Sequence, residues 1–335
     1  MNNTHEGGIW VRRALIAACV FLSVLLVVLV AATAYMEQLL GLIGREPAQL
    51  ETLSPEEIEA LLHPEDSGGY DPEEIPMPPA APVIEGEHLV QILLIGQDRR
   101  GSTGRSLSDA MILCTLNLKN KSLTLTSFLR DTYVQIPGYR NNKLNVAYPL
   151  GGMPLLDQTL EVNYGVKVDG NIEVDFSQFA QIIDLLGGVS ITLTQAEAEH
   201  LNHQYGFTLQ PGENRLNGQE ALGYSRIRRI GTDFGRTNRQ RTVLMALIEE
   251  FRDAGMTRLH KSLTGILGLI TTDMTDAQIV SYGLKLAPLL RDIEVRSQYI
   301  PAEGTFRFED VAGVGNCIFV DFEANRALLA ASVLE

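Results

Sequence analysis

Six arginines stand within sixteen residues of this chain and suggest phosphate chemistry: Arg226, Arg228, Arg229, Arg236, Arg239 and Arg241. No lysine lies among them, and Asp233 is the single acid. A guanidinium grips a phosphate with two parallel hydrogen bonds, whereas a lysine supplies only a point charge. If residues 226–228 are extended, Arg226 and Arg228 share one face. In a helix Arg236 and Gln240 share another. The pattern favours phosphate recognition over an ordinary charged surface.

Aspartates at the ends of predicted strands supply a second set of groups. Asp98 follows the apolar run 90–95, Asp109 comes just before the run 111–118, and Arg130 with Asp131 follows the run 123–129. If the last two runs form a hairpin, these ends meet at one edge of the sheet. Mg²⁺ takes one or two carboxylates and completes its shell with phosphate oxygens and water. Asp98 and Asp109 are therefore the candidate metal ligands, and surface ion pairs are the alternative interpretation.

Other catalytic patterns are missing from the sequence. It contains no GxSxG, no Walker loop and no HExxH. His200 and His203 are interpreted as solvated residues at the end of a polar helix. Cys114 and Cys317 are interpreted as two unpaired thiols, although a fold that brought them together would allow a disulfide.

The elements that must position these residues alternate between strands and helices. Further strands are predicted at 170–174, 189–193 and near 294–300, and further helices at 152–164, 176–186, 235–251 and near 256–270 and 275–290. Gly187 and Gly188 end the helix that starts at Phe176. Strands interleaved with helices predict an α/β fold, a three-layer α/β/α domain with a central mixed sheet.

The start of the chain has the composition of a membrane anchor. Ala14 to Met36 is a run of 23 residues without a charge, preceded by Arg12 and Arg13. Such a run is long enough to span a bilayer core of about 30 Å. The arginines predict a cytoplasmic N-terminus (residues 1–13) and an extracytoplasmic domain at the cell membrane. A cleaved signal peptide is the alternative.

The net charge of −14 comes mostly from one segment. Residues 46–88 hold twelve acids, no lysine or arginine, and eight of the fourteen prolines. This composition predicts an extended, mobile linker over residues 37–87, with a short helix from Pro55 to Leu62. The remaining 29 acids and 27 bases nearly balance. The chain therefore lacks the overall basic charge of a nucleic-acid-binding protein, and no nucleic acid is expected as a partner.

Seven motifs in order over residues 88–252 resemble the LytR-CpsA-Psr family of cell-wall glycopolymer ligases. They are ILLIGQDRR (92–100), SDAMIL (108–113), SFLRDTYVQIPG (127–138), NKLNVAYPLGG (142–152), VDFSQFAQIIDLLGGV (174–189), LNGQEALGYSRIR (216–228) and DFGRTNRQR (233–241). The resemblance implies that residues 88–335 are a catalytic domain. It also implies a hydrophobic pocket for a polyprenyl chain, which the sequence does not locate.

The resemblance assigns roles to particular residues. It implies that a pyrophosphate is bound by Arg105, Arg130, Arg226, Arg228, Arg236 and Gln240, and that Mg²⁺ lies near Asp98 and Asp109. The family usually reads Arg-Ser-Asp before the second strand, whereas three residues separate Arg105 from Asp109 here. The longer loop makes Arg99 or Arg100 an alternative to Arg105.

The implied reaction transfers a glycopolymer phosphate from a polyprenyl-pyrophosphate carrier to a peptidoglycan hydroxyl, in this family a muramic acid 6-hydroxyl, and releases polyprenyl phosphate. Asp98 is the candidate base for the acceptor, unless the metal occupies it. Two alternatives stay open. One is a hydrolase acting on the same lipid pyrophosphate, and the other is a non-catalytic protein that binds or senses lipid-linked glycans.

Overall fold

A computed structural model describes residues 33–47, 53–63, 68–72, 75–97, 105–227, 230, 233–253 and 256–334. They fall into two compact units, one ending at Ile43 and the other spanning Gly44–Glu335. In the first unit, residues 33–40 are helical. The expected membrane anchor, 14–36, lies outside the described residues except for its last four. Among the described residues, no helix combines the length and the apolar character needed to cross a membrane.

The second unit is built on a seven-stranded mixed sheet, which confirms the predicted α/β class. From one edge to the other its strands are β1 (Gly44–Arg45), β10 (Thr271–Thr272), β7 (Gly170–Asp175), β2 (Leu89–Gln97), β3 (Ser108–Asn117), β4 (Ser122–Phe128) and β11 (Glu294–Ile300). The pairs β2–β7, β4–β11 and β1–β10 are parallel, and the others are antiparallel. The ends of β2, β4 and β7 and the start of β3 therefore meet at one edge.

Helices cover both faces of this sheet. They are α1 (Pro55–Leu62), α2 (Ala147–Tyr164), α3 (Phe176–Leu185), α4 (Gln195–Tyr205), α5 (Gly218–Ser225), α6 (Asp233–Asp253), α7 (Met256–Leu267), α8 (Asp276–Leu286) and α9 (Phe322–Leu334). Leu93 and Ile95 of β2 enter a core with α1, α2 and α9. Leu94, between them, faces α3 and α6 instead. This alternation is the period of a strand buried on both faces.

Three two-stranded sheets surround the central one. They are β5 (Tyr133–Val134) with β6 (Asn142–Lys143), β8 (Val189–Leu193) with β9 (Gly212–Leu216), and β12 (Phe306–Val311) with β13 (Gly315–Val320). The hairpin β12–β13 joins the chain just after β4, where Ile318 N donates to Asp131 O at 2.9 Å. Cys114 lies in β3 and Cys317 in β13, and no disulfide joins them, as predicted.

The described part of the acidic, proline-rich segment packs on the domain, which corrects the expectation of an extended, mobile linker there. Helix α1 has the predicted bounds and a capping box at Ser54, and Leu62 is buried in the main core. Ala81 N donates to Val162 O and Ile84 N to Gly165 O, at 2.9 and 2.7 Å. Apolar side chains placed among the acids and prolines supply the contacts that the composition alone does not reveal.

A cluster of carboxyl groups lies beside the edge formed by β7 and β10. The side-chain nitrogen Nδ2 of Asn171 donates to Asp157 Oδ2 at 2.9 Å and to Asp273 Oδ2 at 2.7 Å. Desolvation, together with the charges of Asp273, Glu46 and Glu161, raises the pKa of Asp157 to about 7, and the hydrogen bond from Asn171 partly opposes this rise. Near neutral pH the folded chain therefore holds a proton that an exposed aspartate releases.

This proton predicts that stability falls as the pH rises. The folded pKa of about 7 lies above the ordinary aspartate value of 3.8, so the stability from this group is full below pH 3.8 and is lost as the pH rises through 7. The slope from this group reaches at most about 1.4 kcal/mol per pH unit. Asp157→Asn keeps an acceptor for Asn171 but cannot bind or release this proton. The variant should therefore show a flatter profile of melting temperature against pH than wild type between about pH 4.5 and 7.5. Asp253→Asn, at an exposed position of α6, is the control, and equal profiles for Asp157→Asn and wild type would contradict the assignment.

Candidate functional site

An apolar cavity of about 320 Å³ lies between the sheet and helices α3, α5, α6 and α7. Its floor is formed by alternate residues of the three central strands, among them Leu94, Ile112 and Val174. Its walls come from α3 and α6, on which the apolar side chains recur at helical spacing. The periodicity that predicted buried faces on these helices thus identified residues that line a cavity.

Polar groups line this cavity where the strands end. Asp175 caps α3, Ser225 ends α5 and Gln240 lies on α6, and all three contribute to the lining. The Oε1 atom of Gln240 is buried and accepts no hydrogen bond from the described residues. The guanidinium of Arg226 lies 4.8 Å from the ring centroid of Phe176, another lining residue. The cavity therefore joins a long apolar interior to a polar, cationic end.

Arg236 lies one helical turn before Gln240 and is only 4% exposed. Residues four apart lie on one face of a helix, about 6 Å apart along its axis. Helix α6 begins at Asp233, two residues before the predicted start at Gly235, so Arg236 lies in its first turn. The structure thus brings Arg226, Arg236 and Gln240 to one region, as the sequence predicted.

Arg130 lies at the same edge, between two carboxylates. Its Nη1 donates to Asp109 Oδ1 at 2.5 Å and its Nε to Asp131 Oδ2 at 3.2 Å. All three side chains are about one-fifth exposed, at 21%, 17% and 22%. The predicted hairpin geometry is therefore correct, because the start of β3 and the segment after β4 are in contact. In this state Asp109 is an ion-pair partner of Arg130.

A buried network holds the loop that leads into β3. Glu173, 3% exposed, accepts hydrogen bonds from Gln97 Nε2 and from Tyr148 Oη. Gln97 Oε1 in turn accepts from Ser106 N at 2.9 Å. Burial raises the pKa of Glu46, and the positive charge of nearby Arg105 partly opposes this rise. Buried polar contacts therefore hold the end of this loop at residues 105–106, and the sequence did not predict these contacts.

Arg239 and Arg241 have structural partners instead of a place at the cavity. Arg239 is 7% exposed, and its Nε donates to Glu197 Oε1 at 2.7 Å. Its Nη1 and Nη2 donate to the backbone carbonyls of Ile227 and Ile230 at 3.3 and 2.9 Å. Arg239 therefore ties Ile227 and Ile230 to α6. Arg241 donates to Ser297 Oγ at 2.8 Å, and burial lowers its pKa to about 10.

Several predicted site residues lie outside the described residues: Asp98, Arg99, Arg100 and Arg228. Within the described ranges no group of three or more His, Cys, Asp or Glu residues is arranged to hold a metal ion. The donor chemistry at Asp109 nevertheless fits Mg²⁺. This ion needs only one or two protein carboxylates when phosphate oxygens complete its shell.

A sequence model of the LytR_cpsA_psr family matches residues 70–316. Regulatory protein MsrR of Staphylococcus aureus is 31% identical over 247 residues, which cover 72% of this chain and 74% of that protein. The polyisoprenyl-teichoic acid–peptidoglycan teichoic acid transferase TagU of Bacillus cereus is 36% identical over 194 residues, 57% of this chain and 62% of that protein.

A solved structure has the same fold. It is the LytR-CPS2A-psr family protein YwtF (TagT) with bound octaprenyl pyrophosphate lipid, which superposes with a TM-score of 0.58 at 24% identity. The superposition covers 76% of this chain and 94% of that one. At this identity the comparison supports the architecture described above.

The buried ion pair of Arg239 predicts a large loss of stability when one partner is removed. Arg239→Met leaves Glu197 charged and buried, so we expect a loss of about 3–5 kcal/mol in the free energy of unfolding, measured by urea denaturation. Lys167→Met, which breaks an exposed pair with Glu85, is the control and should change the free energy of unfolding little, because exposed ion pairs contribute little to stability. Losses of similar size in the two variants would show that the Arg239 pair does not hold this segment.

Proposed function

This chain belongs to the LytR_cpsA_psr family, and we propose that it transfers a glycopolymer phosphate from a polyprenyl-pyrophosphate carrier to a peptidoglycan hydroxyl. The observation that carries the proposal is the apolar cavity lined at its polar end by Gln240, with Arg226 against the lining ring of Phe176 and Arg236 one helical turn before Gln240. A lipid pyrophosphate has the same two parts, an apolar chain and a compact anion. TagU, by its name, acts on a polyisoprenyl-linked polymer and peptidoglycan, and TagT holds a prenyl pyrophosphate.

The proposed mechanism positions the reacting groups and stabilises charge. The prenyl chain occupies the cavity, and Arg226, Arg236 and Gln240 hold the pyrophosphate at its end. Arg130 exchanges a carboxylate partner for a phosphate oxygen, so that its guanidinium stabilises the negative charge that develops in the transition state. Arg105 and Arg228 remain predicted contributors. A bound Mg²⁺ at Asp109 would neutralise phosphate oxygens, and phosphoryl transfer depends mainly on such neutralisation and alignment.

The acceptor oxygen bonds to the phosphorus that carries the glycan, and the bond from that phosphorus to the bridging oxygen breaks. Polyprenyl phosphate leaves with the electron pair, and a base takes the hydroxyl proton. Asp98 remains the candidate for that base or for a second metal ligand.

The arginines provide the first test of the proposal. Arg226→Ala and Arg236→Ala should each lower transfer by roughly 10²–10³-fold, about 3–4 kcal/mol, because each removes a preorganised donor. Lysine at either position should restore only part of the rate. The measurement is transfer of radiolabelled glycan from its lipid pyrophosphate to peptidoglycan, with Arg296→Ala, an exposed arginine on β11, as the control.

The products distinguish the proposed transferase from its two rivals. A transferase forms glycan-labelled peptidoglycan and needs the acceptor. Glycan phosphate released equally well without acceptor would identify a hydrolase. Lipid binding with no turnover under either condition would identify a binding or regulatory protein.

The metal provides a separate prediction. Removing Mg²⁺ with EDTA should abolish transfer and leave the melting temperature unchanged, because the buried core is formed by apolar side chains and does not include the carboxylate of Asp109. Asp109→Asn should raise the Mg²⁺ concentration needed for half-maximal transfer, about tenfold if one carboxylate contact worth 1.4 kcal/mol is lost. Full transfer by the wild type in EDTA would refute the metal assignment.

The uncharged run 14–36 supports a single-pass anchor with its N-terminus in the cytoplasm and the catalytic domain outside the cell membrane. An alkaline phosphatase reporter fused after Glu335 should therefore be active in intact cells. Purification of a mature soluble chain that begins after Tyr35 would show a cleaved signal peptide instead.

A further inference from the structure

A second cavity, of about 450 Å³, lies against the hairpin β12–β13. We call it the hairpin cavity, and it is lined by residues 75–78, Tyr133, Arg307 and residues 319–323. Its volume falls within the range of about 300–1,000 Å³ common for small-molecule sites. Nothing in the proposed lipid or pyrophosphate binding uses it.

The lining of the hairpin cavity combines rings with hydrogen-bonding groups. The rings of Tyr133 and Phe319 stack with centroids 5.3 Å apart and planes 5° apart. Arg307 lies 5.3 Å from the Phe319 centroid, and Asp321 and Glu323 are exposed carboxylates on the lining. The buried hydroxyl of Tyr133 makes no hydrogen bond with the described residues. Apolar walls therefore stand beside both donors and acceptors.

The hairpin cavity lies beside the phosphate end of the proposed site. Tyr133 follows Arg130 by three residues, so their Cα atoms are at most about 11 Å apart. The hairpin is tied to the same segment, since Ile318 N donates to Asp131 O at 2.9 Å. Another cavity, lined in part by Leu89 and Lys167, lies at the opposite end of β2, about 26 Å from Gln97 at 3.3 Å per residue.

One side of the wall of the hairpin cavity lies beyond the residues matched by the family model. The match to the family ends at residue 316, whereas residues 319–323 form one side of the cavity. The ligand chemistry of this side is therefore not one that the family match describes.

We infer that the hairpin cavity binds the glycan strand of the acceptor, a chain of hydroxyl-rich sugar rings. This inference rests on the proposed transfer reaction, whose lipid and anion already have sites but whose acceptor does not. The C–H faces of sugar rings pack against Phe319 and the apolar residues of 75–78. Sugar hydroxyls both donate and accept, which matches Arg307 together with the carboxylates of Asp321 and Glu323. A bound strand would extend from here toward Arg130.

The test measures binding of purified, peptide-free glycan strands to the full chain in detergent, with no lipid donor present. The double variant Arg307→Ala/Glu323→Gln should bind the strands at least tenfold more weakly than wild type. Arg296→Ala/Glu303→Gln is the matched control and should bind normally. Arg296 pairs with Glu294 across two residues at 2.9 Å, as Arg307 pairs with Glu309 at 3.0 Å, so both changes break the same kind of exposed pair.

A second variant blocks the hairpin cavity without removing a charge. Pro76→Trp, at an exposed position, should also weaken strand binding and raise the KM for the acceptor, with kcat and the affinity for lipid pyrophosphate unchanged. Equal strand affinity in wild type and in both cavity variants would overturn the inference. Binding that requires the stem peptides would also overturn it, in favour of a peptide site. Strand binding that depends on the hairpin cavity, in a chain that transfers nothing, would uphold the inference and refute the proposed function.

Discussion

Burial of arginine side chains on α6 is the constraint on which the rest of the site depends. Arg236, Arg239 and Arg241 are 4%, 7% and 3% exposed. Removing a cation from water costs several kcal/mol unless other groups compensate. Glu197 and two carbonyls stabilise Arg239, and Ser297, Asn238 and the ring of Tyr299 surround Arg241. These contacts fix α6 against β11 and hold the segment after Arg226, which places Arg236 and Gln240 at the cavity.

The central sheet imposes the second constraint, because its strands contribute side chains to the packed core on one face and to the apolar cavity on the other. Leu93 and Ile95 fill a packed core, whereas Leu94 and Gly96 line the cavity on the other face. A register slip of one residue would exchange these sets and fill the cavity with the wrong side chains. A Cβ at Gly96 would approach Ala110 Cβ to 3.1 Å, so a small residue suits this position of the floor. The packed core on one face thus fixes the strand register on which the cavity on the other face depends.

The sequence predicted local elements well, because their signals are local. The strands 189–193 and 294–300 have the predicted bounds, and Ser54 with Pro55 identified the start of α1. It did not predict the hairpin β12–β13, whose strands lack clean alternation and depend on contacts with distant residues. In the site, the sequence brought Arg130 and Asp109 together correctly. It did not separate Arg239 from Arg236, because only the fold shows which guanidinium meets Glu197.

The docked segment between α1 and β2 has a consequence for how this chain tolerates variation. Its prolines contribute through their carbonyls, as Pro78 O accepts from Gln135 and Pro79 O from Arg326. Gly165 opposite it has a φ of +72°, and a Cβ there would lie 2.1 Å from Pro82 O. This stretch has the composition of a flexible linker, but its contacts constrain it like an element of the core. Changes in the spacing of its apolar residues and prolines would break these contacts.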